Sequence, residues 1–290
     1  FHGNNKTPQE IWTALEWGVG HFVIDSSHEL KLLNEYAREQ GVKQKVLVRV
    51  SPSIDPHTHR LTTTGVLDSK FGFPIETGQA HQAIREVLQC ENLSLEGLHF
   101  HLGSPIFELE PYTEAIELVL GFASEMRQEG MNLNRFSPGG GFAIAYTEED
   151  NPPPKSEYAK AITEALIEGC KLNGLDEPEL TIEPGRSMTG PAGVALYTVG
   201  AIKEIPNVRT YVSVDGGMGD NIRPALYGSR YIAVVANQPN ADATETVTIA
   251  GKYCESGDVL VTDAKLPKVQ PNDIIAIPAS GAYAPSMAST

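Results

Sequence analysis

The sequence predicts an α/β domain built on a parallel sheet, followed by an all-β domain, and three observations predict it. Over the first ~190 of 290 residues, short β-rich runs alternate with amphipathic helical segments, which is the pattern of βαβ units. Near Gly190-Pro191 that pattern stops. From Val194 onward helical periodicity is gone, and short strands are separated by glycine and proline turns. The chemically suggestive residues of the first part fall just after its strands, as they do at the C-terminal face of a (β/α)8 TIM-type barrel. Alternation alone leaves a closed barrel and an open doubly wound sheet both open. The absence of GxGxxG after a strand counts against a dinucleotide-binding sheet. The boundary is placed so that residues 1–190 form the α/β domain and 191–290 the β domain.

The elements follow in order. Thr7-Pro8-Gln9-Glu10 is a capping box with proline at the first helical position, so a helix starts there. A strand is expected at 21–25. Ser26-Ser27-His28-Glu29 reads as a second capping box, followed by Leu30, Leu33 and Ala37 at helical spacing. Strands at 45–50, 95–101, 133–136 and 179–183 are interleaved with helices at 77–89, 111–129 and 156–172. The proline run at 151–154 reads as a loop inside the first domain. In the second domain strands are expected at 194–199, 209–214, 231–235, 246–250, 259–261 and 274–277.

Composition narrows the function. Apolar residues make up 41% and charged residues 20%, enough for a buried core. No run approaches the roughly 18 apolar residues of a membrane span. The net charge of −15 repels a phosphate backbone, and no lysine or arginine cluster offsets it, so neither nucleic acid nor membrane is an expected partner. Cys90, Cys170 and Cys254 are far apart with no CxxC pair, which fits a reducing, cytoplasmic setting. No signal peptide is visible. The opening Phe1-His2-Gly3 and the closing Ser286-Met287-Ala288-Ser289-Thr290 read as cut ends, so the chain is expected to be an internal piece of a longer protein.

Four segments carry possible chemistry. In Leu98-His99-Phe100-His101-Leu102-Gly103-Ser104, alternation places His99 and His101 on one face. A core role for His99 and a metal-ligand role for the pair both fit, but a metal site needs ligands from later strands and no histidine follows His101; no metal is expected. Ser137-Pro138-Gly139-Gly140-Gly141-Phe142 offers glycine N–H groups that approach an anion closely. Thr181-Ile182-Glu183-Pro184-Gly185-Arg186 ends the next strand, and the two loops together make a phosphate grip at the last two barrel strands. Glu183 facing a pyridine nitrogen keeps that nitrogen protonated; pairing with a nearby arginine is the structural alternative. In the second domain, the run from Asp215 to Tyr227 carries Arg223 and Tyr227, suited to a carboxylate. Lys252-Tyr253-Cys254-Glu255-Ser256-Gly257-Asp258 sets a thiol beside a carboxylate, although a lone cysteine is more often a small buried hydrophobe.

Taken in order, HFHLGS, PGGGF, EPGR, DGGMGDNIRPALYG, CESGD and SGAYAPSMAS resemble the diaminopimelate decarboxylases, pyridoxal-phosphate enzymes of the alanine racemase-like barrel class. HGNNK at the start and TGVLDSKFGFP at 64–74 extend the resemblance over essentially the whole chain. It implies a TIM-type barrel, here strands three to eight with the first strands missing, and an incomplete C-terminal β domain. It also implies pyridoxal 5'-phosphate as cofactor, with His101 stacked on its ring and Glu183 on the pyridinium nitrogen. Ser104, the amides of Gly139, Gly140 and Gly141, Gly185, Arg186 and Tyr283 would lie at the cofactor, chiefly its phosphate. Arg186, Arg223, Tyr227 and Tyr283 would bind substrate, and Glu255 would meet its distal amine. Cys254 is implied as proton donor and, with Glu255, would be supplied to a neighbouring subunit, making a homodimer with shared sites.

The implied reaction is decarboxylation of meso-2,6-diaminopimelate to L-lysine and CO2, the last step of lysine biosynthesis. The arginine favours this substrate over ornithine or arginine, the substrates of related decarboxylases. A non-catalytic, lysine-less paralogue is the further alternative. The family's cofactor-linked lysine lies upstream of HGNNK, and Lys6, Lys45 and Lys70 belong to other motifs. The chain alone is therefore expected to be inactive.

Overall fold

A computed structural model describes residues 1–56, 58 and 62–289. The chain forms two compact units, one of residues 1–142 and 153–184, the other of 143–152 and 185–290. The chain thus crosses between units after residues 142, 152 and 184, so the proline-rich 151–154 stretch straddles a crossing instead of lying wholly inside the first domain.

The first unit contains α1 (Pro8–Glu16), β1 (His21–Ile24), α2 (Ser27–Glu39), β2 (Gln44–Ser51), β3 (Phe73–Pro74), α3 (Gln79–Leu88), β4 (Leu93–His99), α4 (Glu110–Arg127), β5 (Arg135–Ser137), α5 (Lys155–Asn173) and β6 (Glu179–Leu180). Five strands pair in parallel in the order β1-β2-β4-β5-β6, with short β3 beside β2. A doubly wound sheet reverses its strand order partway. Here spatial order follows chain order throughout, which is the winding of a βα-barrel and resolves the choice that alternation left open.

The helices cover this sheet because their apolar stripes have nowhere else to go. Ile11, Leu33, Ile84, Ile116 and Leu120 lie fully buried against Phe22, Val48, Leu98 and Phe136 of the strands. The Thr7 box closes in both directions, with Glu10 N–H donating to Thr7 Oγ1 and Thr7 N–H to Glu10 Oε2. The Ser26 box closes in only one. Ser26 Oγ accepts from Glu29 N–H, but the Glu29 carboxylate turns inward to accept from Lys6 Nζ at 2.7 Å and from Asp25 N–H at 3.1 Å. A buried ammonium outcompetes the solvent-exposed return bond of a capping box.

That ammonium decides the role of Lys6. It is 7% exposed and donates also to the carbonyls of Gly3 and Val23, both at 2.8 Å, which uses all three of its donors. Among the described residues it is the only buried lysine. Asp25 in turn sits 3.4 Å from buried Arg49 and accepts from Gly72 N–H at 2.7 Å.

The second unit contains α6 (Gly185–Thr189), β7 (Ala195–Ile205), β8 (Arg209–Val214), α7 (Arg223–Tyr227), β9 (Val234–Val235), β10 (Glu245–Ala250), β11 (Val259–Leu266), β12 (Ile274–Ile277) and α8 (Ala284–Met287). Its six strands run in the order β11-β10-β8-β7-β12-β9. β7 is longer than the sequence suggests, because a register shift between Val199 and Ile202 lets the strand pass Gly200 and continue to pair with β8. Val212, Ile249, Ile275 and Ile277 form its centre.

Removing Lys6 leaves the Glu29 charge buried without its cation. Lys6→Met is expected to cost about 3–5 kcal/mol in urea unfolding of the chain, and adding Glu29→Gln to recover much of that loss. Equal midpoints for wild type and Lys6→Met would show the pair to be dispensable.

Candidate active site

β4 ends at His99, two residues before the strand predicted from sequence, so His101 lies in the following loop while His99 stays in the sheet. The adjoining loops are pressed together. Gly140 bridges Glu183 in parallel fashion, and Glu183 N–H donates to Gly139 O at 2.9 Å. A Cβ on Gly140 would stand 2.0 Å from the Glu183 carbonyl oxygen, and one on Gly139 would stand 2.7 Å from His101 Nδ1. Glycine is therefore required here for backbone approach. Two buried tyrosines tie the loops down from below: Tyr112 donates to Gly140 O at 2.8 Å, and Tyr158 to Ile106 O at 2.6 Å.

The three glycine amides are not equivalent. Gly139 N–H donates to Ser137 Oγ and Gly140 N–H to His101 Nδ1, each at 3.2 Å. Only the amide of Gly141 lacks a partner among the described residues, so it alone is free for an anion. Because His101 Nδ1 accepts, its proton sits on Nε2. Burial, reinforced by the Arg49 charge, pushes the His101 pKa down to about 4. The ring is neutral at pH 7.

Glu183 lies beside it. Its Oε1 is 3.1 Å from His99 Nε2, 3.5 Å from His2 Nε2 and 3.2 Å from Ser137 Oγ, which donates to it. Burial works to raise its pKa, but the contact with His99 and the fields of His99, His2 and His101 outweigh it and hold the group at about 2. Glu183 is ionised at neutral pH and pairs with histidines; the arginine partner considered from sequence is not among its neighbours. His99 is 1% exposed, yet it is not the satisfied core histidine that the sequence allows. It meets Glu183 at ion-pair distance without hydrogen-bond alignment, and both of its ring nitrogens lack hydrogen-bond partners. Donor atoms of His2, His99 and Glu183 lie within 4.8 Å of one another. His2 lies upstream of His101, outside the later strands from which further ligands are expected.

The second unit holds another cluster. Arg186 and Arg223 are each 5% exposed, so Arg186 is no solvated surface residue. Arg186 donates to Tyr146 Oη and Arg223 to Tyr231 Oη, both at 2.6 Å. The Arg186 guanidinium lies 4.7 Å from the Tyr283 ring centroid, and that of Arg223 lies 4.9 Å from the Tyr146 centroid. Among the described residues no carboxylate pairs with Arg223. Sequence reasoning found both arginines and Tyr283 but missed Tyr146 and Tyr231, which stand in no motif.

Cys254 and Glu255 are exposed at the tip of a turn and make no hydrogen bond or ion pair with this cluster. The turn is held by Asp258, 3% exposed, which accepts from Met218 N–H at 2.6 Å and Tyr253 N–H at 2.9 Å. Tyr227 is half-buried in α7, Ser104 half-buried in the loop after β4, and Gly185 exposed at the start of α6.

The family described as "Pyridoxal-dependent decarboxylase, pyridoxal binding domain" matches residues 1–190. The chain belongs to that family of pyridoxal-dependent decarboxylases. Within it, the chain is 47% identical to the diaminopimelate decarboxylase of Bacillus subtilis, covering 100% of this chain and 66% of that protein. It is 48% identical to the diaminopimelate decarboxylase of Staphylococcus aureus, covering 100% and 67% respectively. The crystal structure of a diaminopimelate decarboxylase from M. jannaschii in complex with L-lysine superposes with a TM-score of 0.90 at 37% identity, covering 99% of this chain and 65% of that one. The chain thus spans about two thirds of the length of the relatives it matches.

The first unit fits the family's cofactor, pyridoxal 5'-phosphate, on its own geometry. An ionised carboxylate suits a protonated ring nitrogen, a buried histidine has unmet polar atoms, a neutral imidazole offers a flat face, and one unpartnered backbone N–H suits an anionic oxygen.

Two outcomes follow. Gly140→Ala forces the Glu183 loop away and is expected to cost at least about 2 kcal/mol in thermal unfolding; an unchanged melting temperature would contradict the contact. A group whose pKa is depressed in the folded state stabilises it above the unfolded value. His101 therefore contributes its full stability above pH 6.5 and loses it as the pH falls toward 4. NMR of the labelled imidazole is expected to show the Nε2–H tautomer with a midpoint near 4; a midpoint of 6 or above would refute it.

Proposed function

We propose that the protein decarboxylates meso-2,6-diaminopimelate to L-lysine and CO2, as the final step of lysine biosynthesis. The observation that carries this reading is Arg223, a buried guanidinium with no carboxylate of its own, which calls for an anion from the substrate. An acidic side chain at that position would suit the diamine-forming substrates; an arginine suits a second carboxylate through a bidentate contact.

When bound, pyridoxal phosphate supplies an electron sink for the pair left behind as CO2 departs. The chain's residues do the rest. Glu183, ionised at pH 7, holds a proton on the ring nitrogen. His101, kept neutral and fixed in one tautomer by Gly140 N–H, packs on the ring without adding charge. Gly141, Ser104, Gly185 and Tyr283 serve the phosphate side, with Gly139 and Gly140 shaping the loop. Arg186, Arg223 and Tyr227 orient the substrate by its carboxylates.

Cys254 as proton donor and Glu255 as partner of the distal amine act in a second copy's site, which makes a homodimer the working form. Their exposure at a turn tip supports that reading. Residues 1–190 form the cofactor-binding domain and 191–290 the β domain. No helix among the described residues is long and apolar enough to cross a membrane, and the three free cysteines support a cytoplasmic setting. Lys6 is fully engaged by Glu29, Gly3 and Val23 and is not the cofactor-linked lysine, which supports the expectation that this chain alone is inactive.

The test is lysine and CO2 release from meso-diaminopimelate with added pyridoxal phosphate, on this chain and on the complete gene product that carries it. Turnover by the complete product and none by the chain is expected. Turnover of ornithine or arginine in place of diaminopimelate, or cofactor binding without any turnover, would overturn the assignment.

A further inference from the structure

Tyr146 makes contacts that no motif announces. Its backbone is fixed by Asp150, whose Oδ2 accepts from the N–H groups of Tyr146 and Thr147, both at 2.8 Å. Its hydroxyl accepts from Arg186 at 2.6 Å, and its ring lies 4.9 Å from the Arg223 guanidinium and 5.8 Å from that of Arg186. The same ring meets the edge of Tyr231 at 5.1 Å, and Tyr231 is the residue that holds Arg223 by its hydroxyl.

Two like charges thus share one aromatic ring. Phenol oxygens and ring faces can orient a guanidinium without neutralising it, whereas a carboxylate would orient it and cancel its charge. For Arg223, which no carboxylate meets among the described residues, the arrangement keeps positive charge available to a ligand while setting where it sits.

We infer that Tyr146 is a positioning residue for substrate recognition, holding Arg186 and Arg223 at a fixed spacing with Tyr231 as a second clamp on Arg223, and so selecting an amino acid with two carboxylates. The inference rests on the decarboxylase reading for its substrate but not for its geometry.

The experiment compares wild type, Tyr146→Phe, Tyr231→Phe and Tyr146→Leu in the complete, cofactor-loaded gene product. Steady-state constants for meso-diaminopimelate and calorimetric affinity for pimelate, a dicarboxylate without amines, are read together. Each phenylalanine variant loses one hydrogen bond to a charged group. A roughly ten- to hundredfold rise in KM is expected, with a matching loss of pimelate affinity. Turnover number should stay within about twofold, and the cofactor's visible absorbance should be unchanged. Tyr146→Leu, which also loses the ring, should bind more weakly still.

Unaltered KM and pimelate affinity in Tyr146→Phe, or a fall in turnover number with KM unmoved, would overturn the inference. Loss of cofactor absorbance together with all binding would mark the role as merely structural and overturn it too. If wild type binds pimelate but does not turn over diaminopimelate, the activity reading fails, while the pimelate series still decides the role of Tyr146. Failure of wild type to bind pimelate would end both.

Discussion

The first unit depends on how closely the backbone ends of β5 and β6 approach one another. Gly140 lies so near the Glu183 carbonyl that even a methyl group has no room, and the neighbouring Gly139 leaves no room against the His101 ring. Because neither residue carries a side chain, the loops after β4, β5 and β6 close into one surface, and Glu183 and His101 become neighbours. Tyr112 and Tyr158, rooted in the helical layer, hold that surface from beneath through hydroxyl-to-carbonyl bonds. The site therefore inherits its precision from the core rather than from the loops themselves.

Charge in this unit is sorted by the company each group keeps. Glu183 keeps a low pKa through its contact with His99, and His101 remains neutral because burial and Arg49 oppose its protonation. Deeper in the fold, Lys6, Glu29, Asp25 and Arg49 share a buried set of contacts that consumes the only buried lysine among the described residues. A lysine whose three donors are occupied has no lone pair to offer, so the one amine buried in this unit is structural.

The second unit handles its charge in the opposite way. Its two buried arginines are held by tyrosine hydroxyls and aromatic rings, and no carboxylate among the described residues pairs with Arg223. Unit one presents an ionised acid and a neutral ring; unit two presents cations.

The features legible along the chain were local ones. The alternation of strands and helices, the capping box at Thr7, the change of character after Gly190 and the glycine-rich and EPGR loops are read from neighbours along the chain, because period and cap chemistry act over a few residues. The chemical types of His101 and Glu183 in the first unit and of Arg186 and Arg223 in the second were legible for the same reason: they sit in short motifs. Tertiary structure alone decided the rest. It drew Glu29 out of its cap toward Lys6, ended β4 at His99, committed two of three glycine amides to protein partners and brought His2 to Glu183. It also set Tyr146 and Tyr231 against the arginines. Each of these joins residues distant in sequence or weighs a local bond against a buried one, and burial decided which bond prevailed.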